Sequence, residues 1–100
     1  MIIEYIRYNI SENDRAAFEQ AYKDAGKVML ASSHCLGYEI THGSEEPEHY
    51  VVRIKWDSLD GHMQGFRQEP GFQEFFGLVK PFYTSIEEMK HYEIVATEDK

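Results

Sequence analysis

The hydrophobic spacing of this chain alternates between the two-residue period of a β-strand and the period of an α-helix, and the order of these segments restricts the fold. Residues 2–9 are rich in β-branched and aromatic side chains, which is typical of a strand. Residues 34–42 and 49–56 are two further strands, with a glycine- and proline-containing turn at 43–47 between them. Residues 86–96 are predicted to form the last strand.

Helical spacing separates these strands in two places. Ser11 begins the first helix, with acidic residues in its first turn, and the helix is predicted to end at about Ser32. Its apolar stripe contains Phe18, Ala21, Tyr22, Ala25, Val28 and Met29. A second helix is predicted over 58–68, and a third, short helix runs from Phe72 to near Pro81.

The resulting order, with a strand before and after each helical region and two adjacent strands in the middle, predicts an α+β domain of ferredoxin-like βαββαβ type. Right-handed crossovers then place the first and third strands in the centre of an antiparallel sheet, with the helices on one face. Residues 1–100 are predicted to form one domain, and 97–100 a frayed tail.

The other face of the sheet has no helix to cover it, although the sequence gives it large side chains. The first strand has large side chains on both of its faces, and Val51 lies on the bare face in the third strand, together with Arg53 and Lys55. We therefore expect a second copy to cover it, sheet against sheet, in a dimeric α+β barrel. Charged residues expected to pair across or beside that seam are Glu4, Glu39, Glu93, Arg53 and Lys55. The alternative is a solvated face on a monomer.

Charge and cysteine content exclude several partners. The formal net charge is −8, and no cluster of Lys and Arg exists, so neither nucleic acid nor an anionic membrane surface is an expected partner. The only cysteine, Cys35, excludes an internal disulfide and fits the reducing cytoplasm. The first residues lack the pattern of a signal peptide, and no stretch approaches the ~20 apolar residues of a membrane span. We expect a cytoplasmic protein.

No strong catalytic motif is present. The sequence lacks a nucleophile elbow, a phosphate-binding loop and a dinucleotide fingerprint. The side chains able to bind a transition metal are His34, Cys35, His42, His49, His62 and His91. None of them has metal-ligand spacing on one helix or hairpin, so we predict no metal and no cofactor.

The aromatic fraction of 14% has two explanations. Large side chains fill a small core, or they line a pocket for a flat organic ligand, and both can hold. Trp56, the only tryptophan, ends the third strand on its helix-facing side, where it is either core or the wall of such a pocket. His62 is either a half-buried structural residue or the group best placed for proton transfer near neutral pH.

Other candidates complete the predicted site. Tyr5 and Tyr38 are possible hydrogen-bond donors from the sheet, and Arg7 is a candidate to stabilise a developing phenolate or enolate. Three phenylalanines are expected to belong to the core and also to border the ligand space: Phe66, Phe72 and Phe76.

Four segments, in this order, resemble the antibiotic biosynthesis monooxygenase family. They are a strand entering a helix through Ser11–Asp14, the strand start Cys35–Glu39, the strand and helix cap Val51–Ser58, and the region His62–Phe72. The resemblance implies a homodimeric α+β barrel with a pocket between sheet and helices. It also implies oxidoreductase chemistry on quinols or other small aromatic compounds without metal or flavin, with Trp56 and His62 at the matching positions.

A haem-degrading branch of the family resembles the chain less. That branch has an asparagine on the first strand and a histidine late in the second-helix region, where this chain has Tyr5 and one of Phe75 and Phe76. Two functions therefore stay open. The chain is either a cofactor-independent monooxygenase of a small aromatic or quinol-like compound, or a non-catalytic domain that binds a small ligand or partner on the same scaffold.

Overall fold

The computed structural model describes all residues, 1–100. Its strands and α-helices are β1 Ile2–Asn9, α1 Arg15–Leu30, β2 Cys35–His42, β3 His49–Trp56, α2 Gly71–Val79 and β4 Ile86–Glu93. The strands form one antiparallel sheet in the order β2-β3-β1-β4. This is the predicted α+β, ferredoxin-like arrangement, with β1 and β3 in the centre. β4 ends at Glu93, before the predicted end at residue 96.

α1 packs against the sheet through the stripe that its sequence predicted. Phe18, Tyr22 and Met29 are completely buried on this side. Gly26 lies on the same side, and a Cβ there would collide with the ring of Tyr38. The glycine therefore lets α1 approach β2 closely, at the cost of some helix propensity. No helix of the protein is both long enough and apolar enough to cross a bilayer.

β3 contributes the centre of the core. Its alternation is confirmed, because Tyr50, Val52, Ile54 and Trp56 are all buried on the face toward the helices. The hydroxyl groups of Tyr8 and Tyr22, which would each be unsatisfied alone, hydrogen-bond to one another at 2.5 Å inside this core.

The predicted second helix over 58–68 is present, but it is not a regular α-helix. A five-residue π-helical turn, Gly61–Gly65, and a short 3₁₀ turn, Phe66–Gln68, take its place. A Cβ at the first glycine would collide with the side chain of Asp57, and one at the last glycine with the ring of His34. His34 Nδ1 lies 2.9 Å from Asp57 Oδ2, so the start of β2 holds this segment close to the sheet.

The helix-free face of the sheet carries Val51, Arg53 and Lys55 of β3, as the alternation predicted, and also Tyr5 and Arg7 of β1. Arg53 pairs there with Glu39 of the same chain. The expectation that Glu4 lies at this seam is wrong, because Glu4 alternates with Tyr5 along β1. It therefore points to the helices, where only 3% of its surface is exposed.

Candidate functional site

A cavity of about 110 Å³ lies between the sheet and the helices. Its apolar wall includes Trp56, Phe66, Phe72, Phe75, Phe76 and Val79. Its charged or titratable lining residues are Glu4, His62 and Arg67, and its tyrosines are Tyr8, Tyr22 and Tyr83. An engineered cavity of roughly 150 Å³ binds benzene in another protein, so this volume suits about one aromatic ring. We call this space the sheet–helix cavity.

Trp56 and His62 form one side of the cavity together. Trp56 ends β3 and His62 lies in the π-helical turn that follows it. The rings stack with centroids 4.2 Å apart and 8° between their planes. Only 1% of Trp56 and 4% of His62 is exposed. The two residues that sequence reasoning placed beside one ligand are therefore in direct contact.

Glu4 is the acid of the site. Trp56 Nε1 donates a hydrogen bond to Glu4 Oε1 at 3.1 Å, and His62 Nε2 lies 3.6 Å from the same oxygen. Burial raises the pKa of Glu4 to about 6, although the Trp56 hydrogen bond and the charge of Arg67 act in the opposite direction. A carboxyl group with this pKa changes its protonation state near neutral pH, as a general base must.

His91 extends the polar contacts away from the cavity. It lies opposite Glu4 in the register of β1 and β4. His62 Nδ1 and His91 Nε2 are 2.8 Å apart, so one ring donates a hydrogen bond to the other. Burial, with the charge of Arg67, lowers the pKa of His62 to about 3 and also lowers that of His91. Both rings are therefore neutral at pH 7, and Glu4, His62 and His91 form a chain from the cavity to a half-buried position.

Arg67 brings a permanent positive charge to the cavity. Its guanidinium carbon lies 5.9 Å from the centre of the Phe72 ring. Its Nε is buried and has no hydrogen-bond partner. None of the ion pairs of the chain includes Arg67.

Glu4, His62 and His91 could also hold a metal ion, since their donor atoms all lie within 4.8 Å of one another. Two imidazoles and one carboxylate are a known ligand set for divalent iron. Each nitrogen of His62 already faces another side chain, and the charge of Arg67 opposes a cation. Spacing along the sequence gave no sign of this cluster, and the absence of a metal stays a prediction.

Five of the predicted site residues line the sheet–helix cavity: Trp56, His62, Phe66, Phe72 and Phe76. The structure does not bring Tyr5, Arg7 or Tyr38 to them. Tyr5 and Arg7 lie across the sheet, where Arg53 Nε donates to the Tyr5 hydroxyl at 3.2 Å and Arg7 pairs with Glu87 at 3.4 Å. Their positions in β1 alternate with Glu4, which explains the error in grouping them with His62. Tyr38 packs over Gly26 instead.

The environment of Cys35 makes its thiol unreactive. Cys35 is buried, with 7% of its surface exposed, and burial raises the pKa of its thiol. A thiol with a raised pKa is mostly protonated at neutral pH and is a weak nucleophile.

The sequence profile of the antibiotic biosynthesis monooxygenases matches residues 1–78 of the chain. The chain belongs to the antibiotic biosynthesis monooxygenase family. One relative of the chain is the uncharacterised protein YczJ of Bacillus subtilis (strain 168). It is 26% identical over 95 residues, which are 95% of this chain and 100% of the relative.

Solved structures agree with membership of the antibiotic biosynthesis monooxygenases. The structure of a candidate antibiotic biosynthesis monooxygenase from Bordetella bronchiseptica has a TM-score of 0.77 to this chain and is 26% identical to it. The match covers 95% of this chain and 97% of the Bordetella chain. A variant of SnoaB, a cofactor-independent oxygenase from Streptomyces nogalater, has a TM-score of 0.81 at 13% identity, over 99% and 97% of the two chains. This second likeness concerns the fold alone. Family membership supports a generic, monooxygenase-like function.

Sequence reasoning missed three residues of this candidate site: Glu4, Arg67 and His91. A signal for Glu4 was present, because it shares the alternation of Ile6 and Tyr8, which are buried. His91 is 29 positions from His62 in sequence, and only the pairing of β1 with β4 brings it near.

Proposed function

We propose that this protein is a cofactor-independent monooxygenase of a small aromatic or quinol-like compound. The observation that carries the proposal is the buried acid Glu4 beside the stacked Trp56 and His62, in a cavity whose other walls are mostly apolar. An apolar cavity excludes water from a reactive anion, and a base with a pKa near neutrality generates that anion. The family relationship and the fold shared with SnoaB support the same reaction class.

The chemistry requires no cofactor because the substrate supplies the electrons. Loss of a hydroxyl proton gives a phenolate that can transfer one electron to dioxygen. Recombination of the two radicals forms a carbon–oxygen bond, and the peroxide then loses water. For a hydroquinone the balance is one hydroquinone and one dioxygen to one hydroxyquinone and one water. The protein supplies a proton acceptor and excludes solvent, as the geometry allows.

Glu4 is the better proton acceptor of the two candidates. The pKa of Glu4 is raised to about 6, whereas that of His62 is lowered to about 3, so His62 alone is a weak base. We assign proton uptake to Glu4 and relay to His62, which lies 3.6 Å from the carboxyl oxygen and 2.8 Å from His91. Trp56 and Phe66 hold the ring of the substrate by stacking and contact.

Oxygen uptake with a panel of hydroquinones tests this proposal, in the presence of a metal chelator. Glu4→Gln and His62→Ala are expected to lower the rate at least about a hundredfold, the usual size of a general-base effect. His42→Ala is the matched control, because His42 stacks on Tyr50 at 4.3 Å and 3° but lies outside the cavity. The proposal fails if no hydroquinone drives uptake, or if both site variants keep the rate of the control.

A non-catalytic, ligand-binding role on the same scaffold is the second candidate. The specific observation that favours it is that both ring nitrogens of His62 already face protein groups. This role predicts that an aromatic ligand raises the thermal unfolding temperature increasingly as its concentration exceeds the dissociation constant, with no product formed. Mass spectrometry of the ligand after incubation in air separates the two candidates.

We also propose that the protein is a cytoplasmic homodimer, joined through the helix-free face. Val51 of β3 is half-buried there, and Tyr92 of β4, on the far side of β1, is 48% exposed. Apolar and aromatic surface on a sheet face is stabilised by a second sheet. Light scattering at micromolar concentration is expected to give twice the 11.7 kDa of one chain. A single-chain mass contradicts this part of the proposal. The one free cysteine supports a reducing compartment.

A further inference from the structure

We propose that Arg67 is the anion-binding residue of the sheet–helix cavity, and that the ligand is a phenol or enol bound as its conjugate base. This inference deepens the proposed function and rests on it for the identity of the cavity. It assigns to Arg67 the role that the sequence gave to Arg7, which lies on the other face of the sheet.

Arg67 lacks both a hydrogen-bond partner for its Nε and a counter-ion within the protein. Its Nε is buried with no acceptor, and no carboxylate forms an ion pair with it. A buried donor without a partner is a destabilising feature that folded proteins rarely keep without a reason. The guanidinium group also has no counter-ion within the chain, and an anionic ligand in the cavity would supply one.

Aromatic side chains surround the charge of Arg67. The guanidinium group lies 5.9 Å from the centre of the Phe72 ring, and Phe66 and Phe76 line the same cavity. In such surroundings a charge-assisted hydrogen bond is stronger than in water. The same phenylalanines provide apolar contact for the ring that carries the anion.

The net charge of the cavity stays constant when the bound ligand loses its proton to Glu4. Before transfer, the cavity contains the carboxylate of Glu4, the neutral hydroxyl of the ligand and the cation of Arg67. Transfer of the hydroxyl proton to Glu4 breaks the ligand O–H bond and forms a carboxyl O–H bond. The negative charge thereby moves from Glu4 to the ligand oxygen, and the net charge of the cavity is unchanged. Arg67 then faces an anion at either stage, while His62 stays neutral throughout.

These features define the ligand by its chemistry. It has one aromatic or enolic ring, of a size that fits about 110 Å³, and one hydroxyl group acidic enough to ionise near neutral pH. 4-Nitrophenol is a suitable probe, because it has one aromatic ring with an acidic hydroxyl group, and its phenolate absorbs visible light while the neutral phenol does not.

The experiment is an absorbance titration of 4-nitrophenol with the protein, at a pH where the free probe is mostly neutral. The wild type is expected to increase the phenolate band to saturation. Arg67→Met is expected to bind the phenolate about tenfold or more weakly, the usual effect of losing a charge-assisted hydrogen bond. Lys27→Gln removes one positive charge from an exposed position of α1 and is expected to match the wild type.

Three results would overturn the inference: no increase of the band with wild-type protein, binding of the probe only as the neutral phenol, or wild-type phenolate affinity in Arg67→Met. If Arg67→Met does not fold, Arg67→Lys decides. That variant keeps the charge but loses the planar donors, so a weakened band supports the inference and an unchanged affinity overturns it.

The outcomes for the two proposals can be told apart, because the titration involves no oxygen. Phenolate binding that depends on Arg67, without oxygen uptake on any hydroquinone, upholds this inference and rejects the monooxygenase. Oxygen uptake that depends on Glu4, together with Arg67-independent binding of the probe, does the reverse.

Discussion

The imidazole of His62 lies flat against the indole of Trp56, with ring centroids 4.2 Å apart and 8° between the planes. The edge of the same indole donates its hydrogen bond to Glu4. Trp56 is the only tryptophan of the chain, so its fluorescence comes from the site and from nowhere else. This arrangement makes the ionisation of the buried acid directly measurable.

The emission of Trp56 is expected to change with a midpoint at about pH 6, because Glu4 loses its proton there while accepting the indole hydrogen bond. His62 titrates far below this range, at about 3. In Glu4→Gln the transition should disappear, since the amide still accepts the hydrogen bond but does not ionise. A steady-state fluorescence titration measures both proteins. A transition of equal size in the variant would assign the signal to another group.

Glu4 should also make the fold less stable as the pH rises. Its pKa is 4.5 when exposed and about 6 in the folded protein, so the folded state holds the proton more tightly. The loss of folding stability caused by Glu4 is absent below pH 4.5 and complete above pH 6. The difference between the two pKa values corresponds to about 2 kcal/mol of the free energy of unfolding. Relative to the wild type, Glu4→Gln is therefore expected to gain free energy of unfolding as the pH rises through this window. Urea denaturation across the window checks this, and parallel curves would contradict it.

His62 has the opposite effect in acid. Its pKa falls from 6.5 to about 3 on folding, so the unfolded chain takes up a proton that the folded chain refuses. Stability from this residue is complete above pH 6.5 and is lost as the pH falls toward 3. In His62→Gln, the free energy of unfolding should decrease less over this range. Urea midpoints at several pH values measure the slope, and equal slopes in the two proteins would exclude His62 as its cause.

The hydroxyl pair of Tyr8 and Tyr22, 2.5 Å apart in the core, should behave non-additively. Either single change to phenylalanine leaves one buried hydroxyl without a partner and is expected to cost about 1–3 kcal/mol. The double change removes both polar groups and should be less destabilising than the two single changes added together. A double-mutant cycle by urea denaturation gives the coupling energy. Additive effects would show that the hydroxyls are not coupled.

The sheet and α1 could be predicted because their information is local. Alternation in β3 placed Trp56 on the face toward the helices, and the stripe from Phe18 to Met29 defined the buried side of α1. The region after Trp56 could not be typed in this way. Its shape depends on the close approach of Gly61 to the side chain of Asp57 and of Gly65 to the ring of His34. The spacing of apolar residues along the sequence shows neither contact.

The site could be predicted only in part, for a related reason. Trp56 and His62 are six positions apart, and a strand followed directly by a turn brings them together. His91 joins them through the register of β1 and β4, which a single sequence does not specify. Arg67 was passed over because a charged side chain is ordinarily solvated, and its buried Nε is visible only in three dimensions.

The most direct test of this account is whether a ring-shaped ligand occupies the sheet–helix cavity beside Trp56. A hydroquinone is titrated without oxygen while Trp56 emission is recorded for wild type, Val79→Phe and Val95→Phe. Val79 is 5% exposed and lines the cavity, so phenylalanine there fills it, whereas Val95 is 96% exposed. The account predicts a saturable change in wild type and Val95→Phe, and none in folded Val79→Phe. No response in wild type, or an equal response in Val79→Phe, would contradict it.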